Sequence, residues 1–153
     1  MTKTDYRIRR LYKELALFKT QPCENCSVRV IDDDITTWNA VILGPHDTPY
    51  ENGIFELNIV FPPRYPFVPP ICKFTTRLYH PNIDHTGYIC SDVFDKNNWS
   101  PGLTVMGLLV GICSLLNEPN VDDAVEPAIA DLYTTDFDMY YKTVKKHVCF
   151  YSS

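Results

Sequence analysis

A chain of 153 residues and 17.6 kDa suits one domain of ordinary size and leaves no room for two. Its composition of 45% hydrophobic, 22% charged and 13% aromatic residues excludes a mainly disordered or fibrous chain. The net charge of −5 argues against broad nucleic-acid binding, which calls for a basic surface.

The charge is unevenly placed. Lys3, Arg7, Arg9, Arg10, Lys13 and Lys19 crowd the first nineteen residues, whereas residues 117–138 carry acids and no Lys or Arg. Two solvated faces of opposite sign would give this pattern, and so would a basic docking helix with an acidic flank elsewhere. The N-terminus is polar and basic with no apolar stretch behind it, unlike a secretory signal. The longest apolar run, Val105–Leu116, is short of the roughly 20 residues a membrane span needs. A soluble intracellular protein is expected, without a membrane span, and its six cysteines are expected as free thiols.

Residues 5–18 predict an amphipathic helix, with Ile8, Leu11, Tyr12, Leu15 and Phe18 at helical spacing and the basic residues opposite. Pro22 lies in the segment that ends it. Four strands follow: Ser27–Asp32, Thr37–Leu43, Ile54–Phe61 and Ile71–Thr75. An acidic turn of three aspartates, Asp32 to Asp34, joins the first two. Phe55, Leu57, Ile59 and Phe61 alternate cleanly, and the short connections predict an antiparallel meander. Between the third and fourth strands, Phe61–Pro70 holds five prolines. They fix φ and remove amide donors, so this is a rigid connector and not a ladder strand.

Arg77 to Gly102 shows no clear period, and a structureless stretch of that length in a compact domain is usually functional. Helices are then predicted over Thr104–Leu116, apolar nearly all round; over Ala124–Leu132; and over Asp136–Val148. The last should put Phe137, Tyr140, Tyr141, Val144 and Val148 on its inner face, with Thr135 and Asp138 as a weak capping box. The order is helix, strands, irregular segment, helices, which is an α+β pattern.

The irregular segment contains His80, His85 and Cys90. A zinc site from these three lacks a fourth ligand at suitable spacing, and Cys23 and Cys26 form a CxxC that stands alone in a polar turn. A cysteine hydrolase would need a histidine to meet Cys90 in space, which spacing does not show. A buried, inert thiol is the usual state of a free cysteine, and it is expected of Cys72, Cys113 and Cys149.

The motifs themselves go further. Phe61-Pro-Pro-Arg-Tyr-Pro-Phe-Val-Pro-Pro70, Tyr79-His-Pro-Asn-Ile83, Gly87-Tyr-Ile-Cys90 and Trp99-Ser-Pro101 occur in that order, with Gly44-Pro45 before them and Leu116-Asn-Glu-Pro-Asn120 after. Together they resemble the core of a ubiquitin-conjugating enzyme over nearly the whole chain, about residues 5–151. The resemblance implies an N-terminal helix, a four-stranded antiparallel meander, a central crossover helix and two C-terminal helices. It implies that Cys90 accepts the C-terminal carboxyl of ubiquitin as a thioester from an activating enzyme. Cys90 would then pass it to a substrate lysine or to a ligase, of RING or HECT type. No cofactor is implied, because ATP is used by the activating enzyme. A monomer in the cytoplasm or nucleus is implied as well.

Residue roles carry over singly. The resemblance points to Asn82 as the amide that stabilises the oxyanion, or else as a structural brace of the loop. It gives His80 and Pro81 a bracing role. Asp123 and Asp92 match acids placed to orient and deprotonate the attacking amine in lysine-reactive members. Arg10 and Lys13 match basic helix positions turned toward activating enzymes and ligases. Pro66, Phe67, Trp99, Ser100 and Pro101 match the two loops on which ligase domains rest. A cis peptide is implied at Tyr65-Pro66, and Ser27 falls where some members hold a second ubiquitin. The chain departs from the pattern at Ser91, Gly102 and Ala124 and in a Cys90-to-Trp99 loop one residue longer than usual. These departures leave an alternative: a catalytically weak adaptor that binds ubiquitin or a ligase. Cys90 argues against it.

Overall fold

The computed structural model describes residues 3–90 and 98–153. Helix α1 spans Lys3–Thr20 and is followed by strands β1 (Cys26–Ile31), β2 (Asp34–Leu43), β3 (Ile54–Val60) and β4 (Ile71–Phe74). Helix α2 (Val105–Asn117), a short 3-10 turn (Val121–Asp123), α3 (Pro127–Thr135) and α4 (Phe137–Tyr151) complete the chain. The strands form one antiparallel sheet in the order β1-β2-β3-β4, the meander that the short connections predict.

Alternation along the strands sorts the sheet into two faces. Trp38, Ala40 and Ile42 of β2, Phe55, Leu57 and Ile59 of β3, and Cys72 and Phe74 of β4 point inward and are buried. They share one core with Leu11 of α1, with Val105, Leu108, Leu109, Ile112 and Leu116 of α2, and with Tyr140, Val144 and Val148 of α4. Trp38 and Phe61 meet edge to face at 4.9 Å, and Phe61 and Tyr65 at 4.8 Å, so the proline-rich connector is anchored in the same core. Its Tyr65-Pro66 peptide is cis, as the resemblance implies.

Several local expectations need correction. Strand β2 begins at Asp34, not Thr37. Asp32 and Asp33 both take positive φ (52° and 59°), which closes the hairpin with two residues and lets Asp34 pair with Ile31. The third helix starts at Pro127, not Ala124, because Val125 N and Glu126 N both donate to Pro81 O and hold that stretch out of helical geometry. Asp136, not Thr135, caps α4, its carboxylate accepting from Met139 N at 3.1 Å. Phe137 and Tyr12 are exposed, not inward. Phe137, the first residue of its helix, leans on the rings of Tyr133 and Tyr140 at the α3–α4 corner. Helix α2 is less enclosed than its apolar sequence implies, with Gly107, Val110 and Ser114 on an exposed face.

The cysteines also differ from expectation. Cys23 and Cys26 are joined as a disulfide, their Cα atoms 5.3 Å apart. Cys72 is buried as expected, and burial pushes its thiol far up. Cys113 is only half-buried and Cys149 is exposed, since helical spacing places Cys149 beside the inward Val144–Val148 stripe and not on it. No helix of the described residues is long and apolar enough to cross a membrane.

Candidate active site

Residues 80–90 form an irregular hairpin that rides on β4. Ile83 bridges Ile89, Tyr88 bridges Lys73, and Phe74 N donates to Gly87 O at 3.0 Å. The tip is closed by Asp84, whose Oδ1 accepts from Thr86 N (2.8 Å), Thr86 Oγ1 (2.6 Å) and Tyr88 N (3.1 Å). These bonds, the Thr86 hydroxyl foremost, hold the Asp84 carboxyl below its ordinary range. Gly87 has φ +92°, and a Cβ there would fall 2.0 Å from Phe74 O. Only glycine lets the hairpin lie this close to the strand.

At the end of the hairpin, Cys90 is partly exposed, and its N–H donates to Asn82 O at 2.8 Å. Asn82 itself is fully buried. Its Oδ1 accepts from Asn120 N at 2.9 Å, and its Nδ2 donates to Asn120 O at 2.8 Å and Asp123 O at 3.3 Å. Both amide protons are therefore engaged. One residue thus fastens two segments: its backbone holds Cys90, and its side chain holds the turn that carries Asp123.

Asp123 is exposed, and its Oδ2 lies 3.4 Å from Asn120 Nδ2. Asn120 also accepts from Asp122 N through its Oδ1, at 3.2 Å, and so caps the 3-10 turn. Sequence reasoning quotes Asn120 within a motif but gives it no role. Its signal was the Asn-x-Asp spacing of an N-cap ahead of a short turn. Pro81 O accepts from Val125 N (2.9 Å) and Glu126 N (3.0 Å), so the His80–Asn82 triplet braces the whole 120–126 stretch. Asp92 and Ser91 lie outside the described residues.

His80 is fully buried. Its Nε2 meets Leu115 O at 2.7 Å and its Nδ1 accepts from Asn82 N at 3.0 Å. That pattern requires the neutral ring with its proton on Nε2. Burial pushes its pKa down to about 4, and the Leu115 carbonyl partly offsets this. With both nitrogens used, His80 has none left for a metal or for Cys90.

The predicted docking residues fall in two groups that share one anchor. Trp99 Nε1 donates to Pro66 O at 2.8 Å, which ties the loop of Ser100 and Pro101 to the loop of Phe67. Pro66 is buried, while Phe67 is 54% exposed and stacks on Tyr6 at 5.6 Å. Ser100 and Pro101 are exposed. On α1, Lys13 faces solvent. Arg10 is partly buried: its Nη2 donates to Leu103 O at 2.8 Å, its Nε lies 3.2 Å from Glu14 Oε2, and its guanidinium sits over the Tyr65 ring. Glu14, absent from the sequence reading, is 3% exposed and accepts from Val105 N, Tyr65 Oη and Arg10. Its one signal is a lone carboxylate four residues after Arg10 on the apolar side of the helix.

A family model described as ubiquitin-conjugating enzyme matches residues 10–148. The matched stretch contains the whole sheet, the connector with its cis proline, the Asn82–Cys90 hairpin, α2 and the braced 120–126 segment. Fold, motif order and this match coincide along the same residues, and the chain belongs to the ubiquitin-conjugating enzyme family.

Proposed function

We propose that this protein accepts ubiquitin as a thioester on Cys90 from an activating enzyme and transfers it to a substrate lysine, in most cases with a ligase. The observation that carries the reading is the setting of Cys90: partly exposed, at the end of a hairpin fastened to β4, with its backbone N–H held by Asn82. A protein-sized acyl donor must reach this sulfur, and a buried thiol would not serve.

Loading exchanges one thioester for another. The Cys90 thiolate attacks the carbonyl carbon of the activating enzyme's thioester, and that enzyme's cysteine leaves as thiolate. The leaving group is good, so no strong base beside Cys90 is needed. This agrees with a neutral His80 whose nitrogens are both committed. Discharge then requires an uncharged amine. An unperturbed Lys has a pKa of about 10.4, so a carboxylate that orients it and takes its proton speeds the step. Asp123 is assigned that role, on an exposed turn held by Asn82. Asp92, matched by family resemblance, is assigned a supporting one. Asn82 is assigned the position of the Asp123 turn first. Donation to the developing oxyanion would require its Nδ2 to leave the longer of its two bonds, that to Asp123 O.

Phe67, Ser100 and Pro101 are assigned the ligase contact, as an apolar side chain beside two loops stiffened by prolines and joined through Trp99. Lys13 is assigned charge contacts with activating enzyme and ligase. Arg10 contributes by fixing the Leu103 carbonyl and with it the base of the second loop.

The test is incubation with activating enzyme, ubiquitin and ATP, followed by a gel with and without reductant. The expected product is one ubiquitin adduct that disappears on reduction and is absent in Cys90→Ala. A folded protein that forms no reductant-sensitive adduct would refute the proposal.

A further inference from the structure

Cys23 and Cys26 lie far from the Cys90 loop in the sequence and have no part in the thioester chemistry. They are joined across the α1–β1 junction with Cα atoms 5.3 Å apart, inside the range that a disulfide spans. Their closed loop is short, so the bond removes less chain entropy from the unfolded state than a disulfide closing a long loop does. The surrounding fold is held without it. Gln21 N donates to Leu17 O on one side, and Leu43 N donates to Asn25 O on the other, both at 2.8 Å. Cys26 is itself the first residue of β1, paired with Ile42. The bond can therefore open and close while helix and sheet stay in place.

The two sulfurs are unequal. Cys26 is 7% exposed and belongs to the hydrophobic core. Cys23 is half-buried in the irregular stretch before β1. Both line an open groove of about 260 Å³ with Leu15, Phe18, Lys19 and Val28. Cys23 is the more exposed of the two in this groove, so an incoming thiolate reaches it more readily than Cys26, and Lys19 supplies a positive charge at the same groove for an anionic reagent.

We propose that Cys23 and Cys26 are a reversible dithiol–disulfide couple that exchanges with a small anionic thiol of the glutathione kind, with Cys23 as the attacked and attacking sulfur and Cys26 as the resolving one. In the opening direction, a glutathione thiolate bonds to Cys23 Sγ and the Cys23–Cys26 bond breaks, with Cys26 leaving as thiolate. A second glutathione then takes the glutathionyl sulfur from Cys23 and leaves as glutathione disulfide, so two electrons and two protons reach the protein. Closing runs the same steps backwards, with glutathione disulfide as oxidant.

The experiment equilibrates the full-length protein in glutathione mixtures of graded poise, quenches with acid, alkylates and maps each cysteine by peptide mass. Cys23 and Cys26 are expected to lose their alkyl groups together, in one two-electron transition. Cys26→Ser is expected to accumulate a glutathionyl group on Cys23. Cys23→Ser is expected to leave Cys26 at least ten-fold less modified at the same poise. Because a serine inside the core can unfold the chain, a time course on the unmutated protein is run as well, where the transient mixed disulfide should map to Cys23. A disulfide that stays closed in the most reducing mixture, thiols that stay alkylated in the most oxidising one, or a mixed disulfide found on Cys26 would each overturn the proposal. The readout needs neither ubiquitin nor activating enzyme, so it stands apart from the thioester reading.

Discussion

The side-chain amide of Asn82 and the backbone of Asn120 exchange two hydrogen bonds across 38 residues, Nδ2 donating to Asn120 O at 2.8 Å and Oδ1 accepting from Asn120 N at 2.9 Å. This side chain therefore stands in for a missing strand pair between the Cys90 hairpin and the turn of Asp123. Asn82→Ala would remove the partner of the Asn120 N–H and the Nδ2 bonds to the Asn120 and Asp123 carbonyls, leaving Asn120 O only its longer bond from Asp123 N at 3.4 Å. Each buried group left unpaired costs about 1–3 kcal/mol. The expected result is a loss of about 2–4 kcal/mol in denaturant unfolding, together with slower lysine discharge and near-normal loading of Cys90. Slow discharge in a variant of unchanged stability would place the amide on the reacting atoms and not in the scaffold.

Glu14 makes a second long-range tie. Its Oε1 accepts from Val105 N at 2.6 Å, at the start of α2, while Oε2 takes the Tyr65 hydroxyl and the Arg10 guanidinium. A carboxylate at a helix N-terminus is favoured by the exposed N–H groups and the helix dipole, and Thr104 completes the cap through Gly107 N. The same carboxylate fixes the residue before the cis proline, which in turn places Pro66 O for Trp99. Glu14→Ala is expected to cost about 3–5 kcal/mol, the range for breaking a buried ion pair, and Arg10→Ala less. Calorimetric unfolding of both variants measures this. Equal effects would mean that the carboxylate works only through Arg10.

His80 sets an acid limit on stability. Its pKa falls to about 4 in the fold, from an ordinary value of 6.5, chiefly through burial. The unfolded chain therefore binds a proton before the folded one does. The stabilisation is present above about pH 6.5 and is lost progressively as pH falls toward about 4, reaching about 2 kcal/mol at about pH 5. Urea unfolding at several pH values measures the slope. His80→Gln is expected to be less stable at neutral pH, having lost one of two fitted bonds, yet to show a shallower decline on acidification. An unchanged slope would assign the acid sensitivity to other groups.

The parts of this fold that were legible in the sequence are those written in periodicity or in rigid residues. The alternation of Phe55, Leu57 and Ile59 marks β3, the helical spacing of Leu11 and Leu15 marks α1, and the proline run marks its connector. What escaped was polar and long-range. Glu14 is a charged residue in a helix, ordinarily solvated, and its partner lies 91 residues away. Asn120 meets Asn82 through its backbone, which residue identity does not encode, although its side-chain cap of the 3-10 turn is signalled by the Asn-x-Asp spacing. The Cys23–Cys26 bond went unforeseen because compartment, not spacing, guided the expectation of free thiols. Cys90 and Asn82 were legible only through the order of four motifs; taken singly, a cysteine and an asparagine in a loop carry almost no signal.

Asp123 provides the sharpest test of the proposed chemistry. It is exposed, on a turn whose carbonyl is held by Asn82, so its removal should leave the scaffold nearly intact. A lysine acceptor and a small thiol acceptor differ in how much help they need, with reference pKa values of about 10.4 and about 8.5. If the carboxylate takes the proton from the amine, Asp123→Ala should slow discharge to free lysine by about 10²-fold or more, the low end of general-base contributions, and slow discharge to thiol far less. Asp123→Asn keeps the size and loses the proton acceptor, so it should behave as Ala does. The measurement is single-turnover discharge of purified thioester across a lysine series and a thiol series at fixed pH. Raising the pH should narrow the gap between variant and parent for lysine, because more of the amine is then already neutral. Equal slowing toward both acceptors would mean that Asp123 shapes the groove and does not act on the amine. A parent enzyme that discharged to thiol but never to lysine would overturn the lysine-transfer reading itself, with Ser91 and the lengthened Cys90-to-Trp99 loop the first positions to exchange.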